Sequence, residues 1–117
     1  MSKWTRQGPW LLCDMSEWQL RILIGEQHFT GLVDVELVAP NGQRFTGTIG
    51  TQGMIDEIMK AYQSTGECLN GRYFWCISLI VVDHLDEQTI YDVVQDLIRS
   101  GEIFSAFALV PEAEAAR

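Results

Sequence analysis

Residues 30–49 read TGLVDVELVAPNGQRFTGTI, and this stretch decides the fold. Val33, Val35 and Leu37 alternate with Asp34 and Glu36. A period of two puts the apolar side chains on one face of a strand and the acidic ones on the other, so residues 30–38 predict a half-buried strand. Pro40-Asn41-Gly42 follows; Asn and Gly adopt positive φ at little cost, which predicts a turn. Residues 43–49 return with Phe45 and Ile49 on one face and Arg44, Thr46 and Thr48 on the other. Two alternating runs joined by such a turn form a hairpin.

Upstream, Trp18, Leu20, Ile22 and Ile24 alternate with Gln19 and Arg21, predicting another half-buried strand over 18–24. Residues 10–14 read as a short edge strand or a turn. Downstream, Ile55, Ile58, Met59 and Tyr62 fall at helical spacing, predicting a helix from about Gln52 to Tyr62, capped by Thr51 and ended by Gly66. A Gly-rich loop, residues 66–71, leads into 73–82. The nearly continuous apolar character of that run predicts a central strand covered on both faces for part of its length. Asp86 caps a second helix, with Leu85 and Ile90 stapled across the cap. Ile90, Val93, Val94, Leu97 and Ile98 form its buried stripe, and Ser100-Gly101 stops it. Residues 103–109 read as a last strand. The order β-β-β-α-β-α-β predicts an α+β fold: a mainly antiparallel sheet of about five strands with two helices on one face.

The 117 residues fit one domain, with an ordered core over about 10–110 and a frayed tail at 111–117. Hydrophobic residues at 47% and charged residues at 21% are globular values, which excludes a wholly disordered chain. Sixteen acidic groups oppose eight basic ones, a net charge of −8. Such a surface repels nucleic acid and anionic membranes, and it attracts a basic partner. The same charge also serves plain solubility. The N-terminus has no apolar run of a secretory signal, and Ile77–Val82 is too short to span a bilayer, so a cytoplasmic address is expected. Cys13, Cys68 and Cys76 form no CxxC pair and leave an odd thiol, which fits a reducing compartment.

No motif carries chemistry convincingly. A metal site needs three convergent ligands, and the histidines are only His28 and His84. His84 beside Asp83 reads either as a general-base pair or as a surface histidine at the mouth of a helix. Cys76 reads as a core residue; Cys68 lies in a loop and is the one plausible reactive thiol, although acidic Glu67 beside it weakens that case. Gly50-Thr51-Gln52-Gly53 precedes a helix but lacks the lysine of a phosphate-binding loop. The pairs Asp56-Glu57 and Asp86-Glu87 complement helix N-termini, and Asp92 with Asp96 reads as a solvated helix face. A non-enzyme without cofactor or metal is the expectation.

Recognition features are more concrete. Residues 83–102 hold Asp83, Asp86, Glu87, Asp92, Asp96 and Glu102 against Arg99 alone. Asp34 and Glu36 add a second strip, mixed with Arg21 and Arg44. The loop from Thr65 to Trp75 places Arg72 and Tyr73 beside glycines, the residue types of interface hot spots if exposed, and it also carries the acidic Glu67. The candidate partner-binding residues are therefore Asp34, Glu36, Glu67, Arg72, Tyr73, Asp83, Asp86, Glu87, Asp92 and Asp96.

The hairpin ending in Pro40-Asn41-Gly42, the run Thr51 to Met59, Thr65-Gly66-Glu67, Gly71-Arg72-Tyr73-Phe74 and the helix ending Leu97-Ile98-Arg99-Ser100-Gly101 give the chain a layout. Across residues 18–109 it resembles the small immunity proteins of bacterial polymorphic-toxin systems, including contact-dependent growth inhibition. The resemblance implies a non-catalytic cytoplasmic inhibitor that binds one cognate toxin, often a nuclease, and blocks its active site. It assigns no individual functional residue. Two other readings stay open. One is a small-ligand or regulatory module that dimerises, with an apolar pocket lined partly by Trp75, Phe104 or Phe107. The other is an enzyme in which Cys68, His84 or the carboxylates converge.

Overall fold

A computed structural model describes residues 3–24, 29 and 31–111. The elements are β1 (Trp4–Gln7), β2 (Trp10–Met15), β3 (Trp18–Leu23), β4 (Val33–Val38), β5 (Arg44–Thr51), α1 (Gln52–Thr65), α2 (Glu67–Gly71), β6 (Leu79–Val82), α3 (Glu87–Ser100), α4 (Ile103–Ala106) and β7 (Ala108–Leu109). The fold is α+β, with a mostly antiparallel sheet of seven strands rather than about five. Strands β1 to β5 follow one another as an antiparallel meander. The far edge of β5 is shared: β6 runs parallel to its C-terminal half and β7 antiparallel to its start.

The turns follow from backbone freedom. Gly8 and Ser16 stand at positive φ in the two-residue connections β1–β2 and β2–β3, and Gly42 does so after Pro40-Asn41. The Gly42 amide donates to the Ala39 carbonyl at 2.9 Å and closes that turn.

Register sorts the side chains. Leu20 lies opposite Leu37, and Leu37 opposite Phe45; Ile22 lies opposite Val35, and Val35 opposite Gly47. All of these residues are buried. Gly47 has a specific task, because a Cβ there would come within 2.8 Å of the Phe107 ring. Helix α3 joins this core through Ile90 and Val94, and α4 through Ile103. Burying one such side chain contributes about 1.5–3 kcal/mol. Helix α1 is held differently. Its buried residue, Ile55, stands outside the main core cluster, and the helix packs instead against α2.

Three expectations change. Residues 10–14 belong to an inner strand, because β1 adds outside it. The run 73–82 is not a central strand: only Leu79–Val82 pairs, at the sheet edge, and Ser78 at φ 53 breaks the run before it. Residues 103–109 begin as a helical turn. Ile103 and Phe107, four apart, are both buried, and the Glu102 carbonyl accepts the Ser105 and Ala106 amides. His28 and residues 112–117 of the expected tail lie outside the described residues. Among the described residues no helix is long and apolar enough to cross a membrane.

Candidate functional site

The site begins where α1 ends. Gly66 terminates the helix in the left-handed region, and its amide donates to the Tyr62 carbonyl at 2.8 Å. Cys68, Leu69 and Asn70 then also have positive φ, so α2 is one left-handed turn. Each such L-residue costs roughly 1–2 kcal/mol, less for Asn. The surroundings hold the turn in place. The Arg72 amide donates to the carbonyls of Cys68 and Leu69 at 3.1 and 3.3 Å. Gly71 sits so close to the Met59 carbonyl that any Cβ would overlap it. Backbone strain of this kind concentrates where a segment is held for recognition or chemistry.

The turn leads into residues 72–78, which join it to β6 outside any regular element. Their odd members point outward: Tyr73 is 47% exposed, Trp75 73% and Ile77 72%. Phe74, Cys76 and Ser78 are half-buried. The Ser78 carbonyl accepts the Thr48 amide at 3.0 Å, which ties the segment to β5. Leu69, 64% exposed, and Val81 extend the apolar exposure at its two ends. The expectation that 73–82 is buried on both faces therefore gives way to a row of outward apolar side chains.

Residues Trp10, Leu23, Asp34, Glu36, Thr46 and Thr48 point off the sheet face opposite the core. Together with Ile77 and Ser78 they line a cleft of about 320 Å³. Asp34 is exposed and accepts from the Thr48 hydroxyl at 3.3 Å. Glu36 departs from its expected role. It is only 6% exposed, and its carboxylate receives Arg21 at 3.1 Å and Arg44 at 2.6 Å. The Glu36 hydrogen bond pushes the Arg44 guanidinium up. Glu36 faces outward as its register requires, but the two arginines cover it and satisfy it. It is a structural hub rather than a contact residue.

The third group surrounds α3. Asp86 caps the helix: its Oδ1 accepts the Thr89 amide at 2.7 Å, and its Oδ2 lies 3.2 Å from His84 Nε2. The Thr89 amide, then the Thr89 hydroxyl and His84, hold the Asp86 carboxyl below its ordinary range. Asp86 is thus committed to the cap. Asp83 is exposed and accepts the His84 amide at 2.9 Å. Asp92 and Asp96 are exposed, and Glu87 is half-buried. Asp86→Ala is expected to destabilise the fold by about 1 kcal/mol at pH 7, as loss of a helix cap does. Because folding lowers this pKa, the contribution is full above the unfolded value near 4 and is lost as pH falls through the folded value. Thermal melts at pH 7 and at about pH 2.5 check this: the gap between wild type and variant should narrow at the lower pH.

The candidate residues therefore fall into three places. Asp34 stands on the open sheet face. Glu67, Arg72 and Tyr73, all exposed, belong to the turn and the segment after it. Asp83 precedes α3, and Glu87, Asp92 and Asp96 lie along that helix, which packs on the opposite sheet face. Sequence reasoning missed Trp10, Leu23, Leu69 and Ile77. For Ile77 no signal was present, since residues 73–77 are apolar without alternation.

Among the described residues, Cys68 and His84 share no hydrogen-bond partner. Cys68 neighbours Tyr62 and Glu67, whereas His84 is bonded to Asp83, Asp86 and Thr89, with the Thr89 hydroxyl at 3.0 Å. No hydrogen bond joins the two sets among the described residues. The three cysteines are free. A second cleft, of about 270 Å³, lies between the β2–β3 turn and α3 and includes Met15, Glu17, Trp18, Tyr91 and Arg99. Neither cleft is lined by Trp75, Phe104 or Phe107. Phe104 instead stacks with Trp18 and Phe45 at 6.0 and 5.6 Å between centroids, and Phe107 is buried. No family model, curated protein or solved structure matches the chain.

Proposed function

We propose that this chain is a non-catalytic, stoichiometric protein inhibitor: an immunity protein that binds a cognate bacterial toxin domain in the cytoplasm and covers its active site. The observation that carries the reading is the outward row Tyr73, Trp75 and Ile77, displayed by a strained turn on an acidic protein. Monomeric proteins seldom leave a tryptophan, a tyrosine and an isoleucine exposed side by side without a use for them. Aromatic anchors at the centre of an interface provide most of its binding energy. The net charge of −8 suits a basic partner such as a nuclease, whose cleft must attract phosphate. Asp83, Asp92 and Asp96 speed encounter from the α3 side, and the aromatic row supplies the lasting contact.

The test is a mixture of this protein with the toxin domain encoded beside it. Calorimetry and gel filtration should show a one-to-one complex with a dissociation constant on the order of nanomolar or tighter. The association rate should fall steeply with salt, and toxin activity should be lost on titration. A pair that stays apart at micromolar concentration contradicts the proposal.

A further inference from the structure

We infer that the cleft on the open sheet face is the seat of one basic side chain, an arginine or a lysine, supplied by the partner protein. This deepens the inhibitor reading and rests on it for the identity of the occupant. The cleft, about 320 Å³, is near the lower bound for ligand pockets, so it suits a single long side chain better than a cofactor. No lysine or arginine is among its lining residues, and of its two carboxylates Glu36 is already paired with Arg21 and Arg44, which leaves Asp34 as the open one. Register explains why. Arg44 lies opposite Val38, at the far end of the face, and Arg21 turns the same way, its Nε donating to Gln19 at 2.8 Å. Both guanidiniums thus meet Glu36 from that end. Asp34, at the near end, makes no ion pair among the described residues and receives only the Thr48 hydroxyl.

The remaining walls fit a cation on an apolar stem. Trp10 lies opposite Leu23, and Leu23 opposite Asp34, so an indole, an aliphatic wall and a carboxylate follow one another across three strands. The indole face attracts a guanidinium or ammonium, and the leucine covers the methylene stem. The Thr46 and Thr48 hydroxyl oxygens can accept further N–H donors. Ile77 forms the lip, which joins the cleft to the row Tyr73, Trp75 and Ile77. A partner held by its apolar contacts on that row would therefore bring a neighbouring basic residue over Asp34.

Titration of the ¹⁵N-labelled chain with N-acetyl-arginine amide, N-acetyl-lysine amide and the neutral isostere N-acetyl-citrulline amide tests the inference. Asp34→Asn serves as the variant, because this exposed side chain can lose its charge without unfolding the sheet. The two cationic probes should shift the Trp10 indole N–H and the amides of Asp34, Thr46, Thr48 and Ile77, with a millimolar dissociation constant. Citrulline, or Asp34→Asn, should weaken binding about tenfold, the equivalent of roughly 1.4 kcal/mol. Equal binding of citrulline, unchanged binding by Asp34→Asn, or shifts mapping elsewhere would overturn it. If the probes bind here but no toxin complex forms, the cation seat stands and the inhibitor reading falls. If the complex forms and Asp34→Asn leaves its affinity unchanged, the seat falls and the inhibitor reading stands.

Discussion

Ile90→Ala is expected to lower the folding free energy by about 3–4 kcal/mol. Ile90 is fully buried at the end of the first turn of α3, four residues after the Asp86 cap, and it belongs to the same cluster as Leu20, Ile22, Val35 and Ile49. The substitution removes three carbons, each worth roughly 0.8 kcal/mol of transfer free energy, and leaves a cavity. The capped turn fixes the backbone at this position, so the cavity cannot close easily. A domain of this size is stable by about 5–15 kcal/mol, so the loss is a large share. Urea unfolding should show the midpoint falling by about 2–3 M with little change in slope. A loss below about 1 kcal/mol would mean that α3 does not dock on the sheet. Ile58 offers a comparison: it is half-buried on α1, which stands apart from the main core, and its truncation should cost distinctly less.

Trp75→Ala should produce the opposite pattern. Its side chain is 73% exposed, so stability should stay within about 0.5 kcal/mol of wild type. Binding to the partner should weaken by about 2–4 kcal/mol, roughly thirtyfold to a thousandfold, mostly through faster dissociation. Neutralising Asp92 and Asp96 together should instead slow association severalfold and flatten its salt dependence. The split between the two rates separates an anchor from a steering charge. If Trp75→Ala leaves the dissociation rate unchanged, the outward row is not the centre of the interface.

The meander from β3 to β5 was legible because the core-facing positions of its strands are apolar and the positions between them mostly polar. Val33, Val35 and Leu37 could alternate cleanly with polar neighbours, and Pro40-Asn41-Gly42 fixed their register. Both long helices were legible because their ends carry residues with local physical jobs. Thr51 accepts the Met54 amide at 3.2 Å, Asp86 accepts Thr89, and Gly66 and Gly101 adopt left-handed caps. Such interactions are settled within four residues and survive any tertiary context.

The misread segments depended on distant contacts. The apolar run 73–82 has the composition of a buried strand, but exposure is decided by what lies against it. Ser78 interrupts it, and β5 offers pairing only to Leu79–Val82. Residues 103–109 are β-prone in composition, yet burial of both Ile103 and Phe107 on one side selects a helical turn. At the candidate site, Asp34 was correctly placed on the polar face. Glu36 shares that face, but its role is set by Arg21 and Arg44, which reach it from two neighbouring strands. Sequence separation hides such a triad, since the arginines lie fifteen residues before and eight residues after it. The left-handed turn at 68–70 has no sequence signature, because Cys and Leu do not favour that conformation. Only the flanking Gly66 and Gly71 hint at it.

In the proposed complex the partner docks on the segment displayed by the left-handed turn and on the cleft beside it. Hydrogen exchange of the free protein and of its toxin complex tests this most directly. Complex formation should slow exchange in residues 69–78 and in the β4–β5 pair around Asp34 and Thr48, and leave the middle of α3 close to its free rate. Protection confined to α3, with residues 69–78 exchanging as in the free protein, would contradict it.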